Sequence, residues 1–167
     1  MKNRIIGIDP GVNGAIACYE PDSMTCYVYD MPTIWIQLAT KKNGKIQRRK
    51  RLNYEKLARL LRTLMETGAD YAWIEKVGPM PRDGAVGAFT FGEAYGAVKG
   101  ACSALNLNTL EVRPQVWKAH FGLIGENKDD SRRIASDLFG PENFKLKKDH
   151  NKAEAALIAC YGAFNQP

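Results

Sequence analysis

The chain begins with three short strand patterns and continues as alternating helix and strand patterns, an order that few folds accommodate. Apolar runs bounded by Gly and Pro predict strands over 4–9, 14–20, 25–31, 70–76 and 107–112. Helical spacing and capping residues predict helices over 54–67, 86–105, 114–120 and 150–164, and one that begins after Asn127. We therefore predict an α/β fold with a mixed five-stranded sheet, an N-terminal three-stranded meander and helices on both faces. At 167 residues, the chain is expected to form a single domain over 1–167.

A short basic segment carries the excess positive charge. The formal net charge is +6, yet outside this segment acidic residues slightly outnumber basic ones. The segment contains no acid, and we interpret it as a loop insertion at about 32–52. Uncompensated positive charges repel one another, and DNA phosphates would relieve that repulsion, although a solvated loop is the alternative. We predict DNA contacts from its seven basic residues, which are Lys41, Lys42, Lys45, Arg48, Arg49, Lys50 and Arg51.

The spacing of the cysteines and the length of the apolar runs indicate the cellular compartment of the protein. Cys18, Cys26, Cys102 and Cys160 show no C-x-x-C spacing, so we expect neither a zinc cluster nor a disulfide framework. The apolar start of the first strand is too short for a signal peptide, and no apolar run approaches the length of a membrane span. We expect a cytoplasmic protein that does not associate with membranes.

Two of the predicted strands end in a single carboxylate that is followed by Gly and Pro residues. Asp9 comes after Ile5-Ile6-Gly7-Ile8, and Glu75 comes after Ala72-Trp73-Ile74. Each alone is also consistent with a turn residue or an edge charge. If the fourth strand lies parallel to the first and next to it, the two carboxylates meet at the sheet edge where α/β folds bind ligands. Neighbouring carboxylates repel each other unless a cation lies between them.

The start of the last predicted helix supplies a third acidic candidate. Glu154 lies beside the apolar stripe of this helix, where an unpaired buried charge would be costly. His150 shares a helical face with Glu154, whereas Asp149 is expected to be the N-cap. Three carboxylates at one sheet edge fit a two-metal phosphodiesterase, in which the ions activate the attacking water and stabilise the leaving oxygen.

Three motifs resemble those of the RuvC-type Holliday junction resolvases, which belong to the ribonuclease H-like superfamily of nucleases. They occur in the family's order between residue 4 and about residue 162. The small phage and prophage members are the most similar, through the stretches 128–132 and 150–154. The motifs are Ile6-Gly7-Ile8-Asp9-Pro10-Gly11, Trp73-Ile74-Glu75-Lys76-Val77 and Ala153-Glu154-Ala155-Ala156-Leu157-Ile158-Ala159.

The resemblance implies an endonuclease that resolves four-way DNA junctions. It implies two Mg²⁺ ions, which Mn²⁺ can replace, branched DNA as the substrate, and a homodimer, since two symmetric cuts need two sites. The implied metal ligands are Asp9, Glu75 and Glu154. The family's fourth ligand commonly lies three residues before the last acid, where this chain has Asn151. Either His150 or Asp149 must substitute, and His150 ranks first.

Basic residues outside the basic segment are further candidates for the site. By resemblance, Lys118 and Lys128 match two basic residues near the scissile phosphate, which makes them candidate catalytic and DNA-binding residues. Lys147 and Lys148 are also expected to contact DNA. The aromatic wedge that many bacterial members carry after the second acid is missing from Gly78-Pro79-Met80.

Three alternatives remain at this point. A sugar-kinase or actin-like ATPase also opens with an apolar strand, Asp and glycines, but it needs two such domains and several hundred residues. A ribonuclease H-like nuclease for another branched DNA or an RNA–DNA hybrid is the closest alternative, and a catalytically silent junction-binding module is the third. Trp35 and Trp117 could stack on bases, although packing is the default. The spacing of Gly92, Gly96 and Gly100 favours close helix packing within the chain over a dimer interface.

Overall fold

Seven strands and five helices make up the part of the chain that the structure describes. The structure is a computed structural model that describes residues 4–40, 43–78 and 84–165, and only the backbone of Lys128. The strands are β1 (Arg4–Asp9), β2 (Ala15–Glu20), β3 (Thr25–Asp30), β4 (Thr33–Thr40), β5 (Ile46–Leu52), β6 (Ala69–Glu75) and β7 (Asn108–Val112). The helices are α1 (Tyr54–Glu66), α2 (Ala85–Ala104), α3 (Pro114–His120), α4 (Lys128–Phe139) and α5 (His150–Phe164).

Five of the strands form the predicted mixed sheet, in the order β3-β2-β1-β6-β7. Strands β1, β2 and β3 pair antiparallel as a meander, while β6 pairs parallel with both β1 and β7. The bounds of these five strands agree with the sequence prediction to within one residue. The predicted fold class is therefore confirmed, and the apolar runs of the central strands β1 and β6 are buried because helices cover both faces of the sheet.

The sheet is covered by helices on both faces, as predicted. The side chains of β1 alternate, so Ile5 packs with α3, α4 and α5 whereas Ile6 and Ile8 pack with α1 and α2. All three isoleucines are fully buried. Helix α5 is the most deeply buried helix, since most of its residues from Ala153 to Cys160 have no contact with solvent. Its central position explains why its sequence lacks a polar face.

The basic segment is a β-hairpin and not the predicted loop. Strands β4 and β5 pair antiparallel as a separate two-stranded sheet, with Trp35 opposite Lys50 and Ile34 opposite Arg51. The alternation of apolar and polar residues that indicates a strand is not visible in this segment. The reason is that long Lys and Arg stems take the place of apolar side chains by covering apolar neighbours, while their charged ends stay in water. We call β4 and β5 the basic hairpin. Lys41 and Lys42, two of the predicted DNA contacts, lie outside the described residues.

The glycines of helix α2 do not pack against the rest of the chain as expected. Gly92, Gly96 and Gly100 are exposed, and a Cβ atom added at any of them would meet open space. The expected close packing of this stripe within the chain is therefore wrong. The predicted caps at Asn53 and Asn127 are confirmed, since each side chain accepts a backbone hydrogen bond at the start of its helix.

None of the described helices combines the length and the apolar character that a membrane-crossing segment needs.

Candidate functional site

The parallel pairing of β1 and β6 brings Asp9 and Glu75 to the same edge of the sheet. Ile8 is in register with Ile74, and the two acids are the next residue along each strand. Both isoleucines are fully buried, whereas Asp9 and Glu75 are partly accessible. The carboxylates therefore emerge side by side where the buried strands reach solvent, as the sequence predicted.

Helix α5 brings Glu154 to this edge by crossing β1 very closely. A Cβ atom at Gly7, in the middle of β1, would collide with the backbone of Ala155 and Ala159. Glycine is the residue that permits such a close approach of backbone to backbone. Because Glu154 directly precedes Ala155, this crossing sets its carboxylate near the end of β1. We call Asp9, Glu75 and Glu154 the acidic cluster.

The charges of the acidic cluster influence one another. Burial and, to a smaller extent, the carboxylates of Glu75 and Glu154 raise the pKa of Asp9 to about 7, while a hydrogen bond from the Gly11 backbone and the charge of Lys118 oppose the rise. Burial also raises the pKa of Glu75, with Glu154 contributing. Raised pKa values at a solvent-accessible sheet edge are typical of functional sites.

Helix α3 contributes two groups to the same edge. The indole Nε1–H of Trp117 donates a hydrogen bond of 2.9 Å to Glu75 Oε1, which opposes the rise in the pKa of Glu75. Lys118 Nζ lies 3.3 Å from Glu154 Oε1. Lys118 therefore lies at the cluster, where the sequence analysis expected it. Trp117 is fully buried, and the sequence gives no sign that its indole orients the Glu75 carboxylate.

Asp9 should make the folded state less stable as pH rises in the absence of metal. Its pKa is higher in the folded chain than in the unfolded chain, so ionisation between about pH 4 and pH 7 favours unfolding. We expect Asp9→Asn to be more stable than the wild type at pH 8 by on the order of 1–4 kcal/mol, with the difference vanishing near pH 4. Urea unfolding in EDTA at several pH values measures this. Asp70→Asn, at the other end of β6, is the matched control, and a gain for Asp9→Asn that is equal at every pH would reject the assignment.

Asp149 does not cap α5 with its side chain, contrary to expectation. Its Oδ2 accepts a hydrogen bond of 2.9 Å from the Leu146 backbone N–H, and its Oδ1 lies 3.5 Å from Lys152 Nζ. The side chain is directed back toward the turn that precedes the helix, where it gives the Leu146 N–H an acceptor. Asp149 is only 5% exposed. It therefore stabilises the entry to α5.

His150 has a ring orientation that suits a metal ligand. Its Nδ1 lies 3.1 Å from the carbonyl oxygen of Lys147. Because a carbonyl can only accept, Nδ1 must carry the proton, which leaves the lone pair of Nε2 free. Histidine ligands commonly donate their second ring N–H to a backbone carbonyl in this way.

The loop after β1 is fastened by residues that the sequence analysis did not assign to the site. The Asn151 side-chain amide donates a hydrogen bond to the Asn13 carbonyl, and Lys50 Nζ on β5 donates one of 3.2 Å to Asn13 Oδ1. A Cβ at Gly14 would collide with the carbonyl of Asp9. Asn151, at the position of the family's usual fourth ligand, thus holds the loop that follows Asp9. Only the tertiary structure brings these residues together.

The remaining predicted DNA contacts lie in three places. Lys45, Arg48, Arg49 and Lys50 lie along the basic hairpin, where none of them pairs with an acid in the described part of the chain. Arg51 is different, because it forms an ion pair with Glu93 of α2. The other three lysines flank helix starts, since Lys128 opens α4 while the exposed Lys147 and Lys148 lie in the turn before α5.

The acidic cluster fits a hard divalent cation by charge and by donor type. Oxygen donors from carboxylates are what Mg²⁺ and Mn²⁺ prefer, and a cation would remove the repulsion that raises the pKa of Asp9. No three His, Cys, Asp or Glu side chains surround a common point at ligand distances within residues 4–40, 43–78 and 84–165. In this arrangement the Lys118 ammonium supplies the positive charge beside Glu154.

Comparison with known proteins places this site in a known fold. No protein-family model matches the chain. Two RuvC structures from Thermus thermophilus, one of them in complex with a Holliday junction substrate, superpose with TM-scores of 0.58 and 0.60 at 14% and 13% identity. Each match covers at least 96% of this chain and 95% of the other. The yeast mitochondrial Holliday junction resolvase Ydc2 gives a TM-score of 0.52 at 18% identity, over 95% of this chain and 78% of that one.

A curated relative adds similarity in sequence. The chloroplastic Holliday junction resolvase MOC1 of Chlamydomonas reinhardtii is 30% identical over 94 residues, which is 54% of this chain. This chain spans about 11% of the length of that relative. The resemblance first seen in three short motifs is confirmed by a match along nearly the whole chain. The protein therefore has the fold of the RuvC Holliday junction resolvases, a form of the ribonuclease H-like fold.

Proposed function

We propose that the protein is a structure-specific endonuclease that resolves four-way DNA junctions by metal-dependent hydrolysis of phosphodiester bonds. The observation that carries the proposal is the acidic cluster at one sheet edge, built by β1, β6 and α5, with Lys118 beside it. The RuvC fold and the sequence similarity to a Holliday junction resolvase support the choice of substrate.

The acidic cluster would hold two Mg²⁺ ions, which Mn²⁺ can replace, with His150 as the fourth ligand. Divalent cations at such a site supply activation of the attacking water and stabilisation of the leaving oxygen. The chain's own residues prepare this chemistry. Trp117 fixes one oxygen of Glu75, and the Gly11 N–H holds Asp9. The Lys118 ammonium would neutralise charge that develops on the scissile phosphate, a role that we also propose for Lys128.

His150 and Asp149 should respond differently to truncation. We expect His150→Ala to reduce turnover by about 10- to 100-fold with little change in stability, as for loss of a group that acts at the metal. Asp149→Ala should lower the free energy of unfolding by about 1–3 kcal/mol, because the hydrogen bond from the Leu146 N–H to the buried, charged Asp149 carboxylate is lost. Single-turnover kinetics and urea unfolding of both variants separate the two roles. Normal turnover in His150→Ala would reverse the ranking.

DNA binding would use the basic hairpin together with the lysines near the acidic cluster. Lys45, Arg48, Arg49 and Lys50 supply positive charge that no acid balances in the described part of the chain, and Lys50 connects the hairpin to the loop that follows Asp9. Lys41 and Lys42 belong to the same basic segment. Because phosphate contacts fix the position of DNA and do not read its sequence, these residues would hold the junction arms over the acidic cluster. Lys147 and Lys148 would extend the same surface.

We propose that the active form is a homodimer working in the cytoplasm as a single-domain enzyme. A junction has two-fold symmetry, so two cuts need two active sites related by the same symmetry. The exposed glycine stripe of α2 has open space where side chains would project, and the neighbouring Phe89 is 71% exposed, so this face of the helix is available to a partner subunit. The four cysteines are buried free thiols, which is consistent with a reducing compartment.

Cleavage of a labelled four-way junction tests the proposed function against its alternatives. The same arms as linear duplexes and an RNA–DNA hybrid of equal length serve as competing substrates, each with Mg²⁺ and with EDTA. A resolvase cuts the junction in Mg²⁺ far faster than either competitor. Faster cutting of the hybrid would favour a ribonuclease H-like enzyme for another substrate, and tight junction binding without cutting would favour a silent binding module.

A further inference from the structure

A cleft lies between the basic hairpin, the loop after β1 and the start of α2. Its volume is about 610 Å³, which is within the ~300–1,000 Å³ range of small-ligand pockets. The lining combines aromatic and cationic side chains with one amide, and these are Trp35, Phe91, Arg48, Arg49, Lys50 and Asn13. We call it the Trp35 cleft.

The Trp35 side chain lines this cleft and is largely exposed to solvent. Its side chain is 65% exposed, while the other two tryptophans, Trp73 and Trp117, are 7% and 0% exposed. Trp35 lies opposite Lys50 and Gln37 lies opposite Arg48 in the hairpin register, so all four side chains share one face. An exposed indole opposite Lys50 and diagonal to Arg48 offers a stacking surface for an aromatic ligand that carries negative charge.

Phe91 and the loop after β1 connect the wall of the Trp35 cleft to the acidic cluster. A Cβ added at Gly11, two residues after Asp9, would lie 3.4 Å from Phe91 Cε2. Phe91 also lines a second cleft, of about 480 Å³, which has Glu75 in its wall. Lys50, from the wall of the Trp35 cleft, bonds to Asn13 in the same loop as Gly11. The Trp35 cleft and the acidic cluster are therefore neighbours that share the wall residue Phe91 and the loop that follows Asp9.

We infer that the Trp35 cleft binds one unstacked nucleotide of the DNA strand, next to the phosphate held at the acidic cluster. The base stacks on Trp35, and the phosphates flanking it contact Arg48 and Lys50. This inference rests on the proposed function, because a four-way junction supplies a strand that leaves its stack where the arms meet. It assigns to the hairpin a role in recognising the branch point, in addition to its nonspecific grip on phosphates.

Fluorescence and binding measurements in EDTA test the inference without cleavage. Since Trp73 and Trp117 are buried, quenching of tryptophan emission on adding a four-way junction should come from Trp35 and be lost in Trp35→Ala. Base–aromatic stacking predicts that Trp35→Ala weakens junction binding by about 5- to 150-fold, while Trp35→Phe keeps most of the affinity. Binding to a linear duplex of the same arms should change less than twofold, because its bases stay stacked.

Ile34→Ala is the matched control for a change in the hairpin itself. Ile34 is the neighbouring residue on the other face, opposite Arg51, and is 49% exposed. Ile34→Ala should leave both quenching and junction affinity unchanged. Quenching that persists in Trp35→Ala, or equal losses of affinity for duplex and junction, would overturn the inference. If the wild type fails to cut junctions in Mg²⁺, the proposed function fails instead, since the quenching test uses no metal.

Discussion

Asp9→Asn, Glu75→Gln and Glu154→Gln are each expected to reduce the rate of junction cleavage in Mg²⁺ by at least about 10²- to 10³-fold. Each change removes one carboxylate charge from the acidic cluster while side-chain volume stays nearly constant. Cations at such a site stabilise the transition state by several kcal/mol, and a weakened ligand set loses much of that. The rate is measured under single-turnover conditions with saturating protein.

Binding and folding should survive these three changes. Junction affinity in EDTA should be equal to or higher than that of the wild type, since a negative charge has been removed from a DNA-binding surface. Asp70→Asn is the control for Glu75→Gln, because Asp70 lies on the same strand, β6, at the end far from the site. A residue whose amide variant cuts at the wild-type rate is not a metal ligand.

Neutralising four residues of the basic hairpin is expected to flatten the salt dependence of DNA binding. In the variant with Lys45, Arg48, Arg49 and Lys50 all changed to Gln, the slope of log affinity against log salt should fall by roughly 3–4 units. The reason is that each phosphate contact releases about one counterion from duplex DNA. Titrations of a linear duplex at several salt concentrations measure the slope. The loss should be equal for duplexes of different sequence.

Two exposed arginines outside the hairpin provide the control that separates a change in net charge from the loss of phosphate contacts. Arg59 and Arg62 lie on the exposed side of α1, and changing both to Gln lowers the net charge without touching the hairpin. This double variant should keep the wild-type slope. If the quadruple hairpin variant also keeps it, the hairpin does not grip phosphates, and binding must come from Lys118, Lys128, Lys147 and Lys148.

The sheet and its helices could be predicted from the sequence because burial leaves a strong pattern. Ile5, Ile6 and Ile8 must all be covered, which requires helices on both faces, and Asn53 and Asn127 mark where helices begin. The basic hairpin could not be predicted in this way. Its alternation is hidden by charged side chains, and it is held by contacts distant in sequence, such as those of Lys50 with Asn13 and Arg51 with Glu93.

The acidic cluster could be predicted in part. Asp9 and Glu75 follow from two apolar strands that end together, a consequence of topology alone. The orientation of Glu75 by Trp117 joins residues 42 positions apart, and no local pattern indicates it. For Asp149, the helix start suggested a cap, yet its carboxylate accepts a hydrogen bond from the Leu146 backbone N–H in the preceding turn instead. Packing decides whether the carboxylate binds a backbone N–H of the helix start or one of the preceding turn, and the sequence does not show this packing.

Single-turnover cleavage of a four-way junction labelled on each strand tests the central claim most directly. The account predicts Mg²⁺-dependent nicks at symmetric positions on two opposing strands, because a dimer presents two acidic clusters. It also predicts that the products are linear duplexes and that Glu75→Gln makes none of them. An equal rate of cutting in EDTA, or cutting of the linear duplex as fast as the junction, would contradict the account.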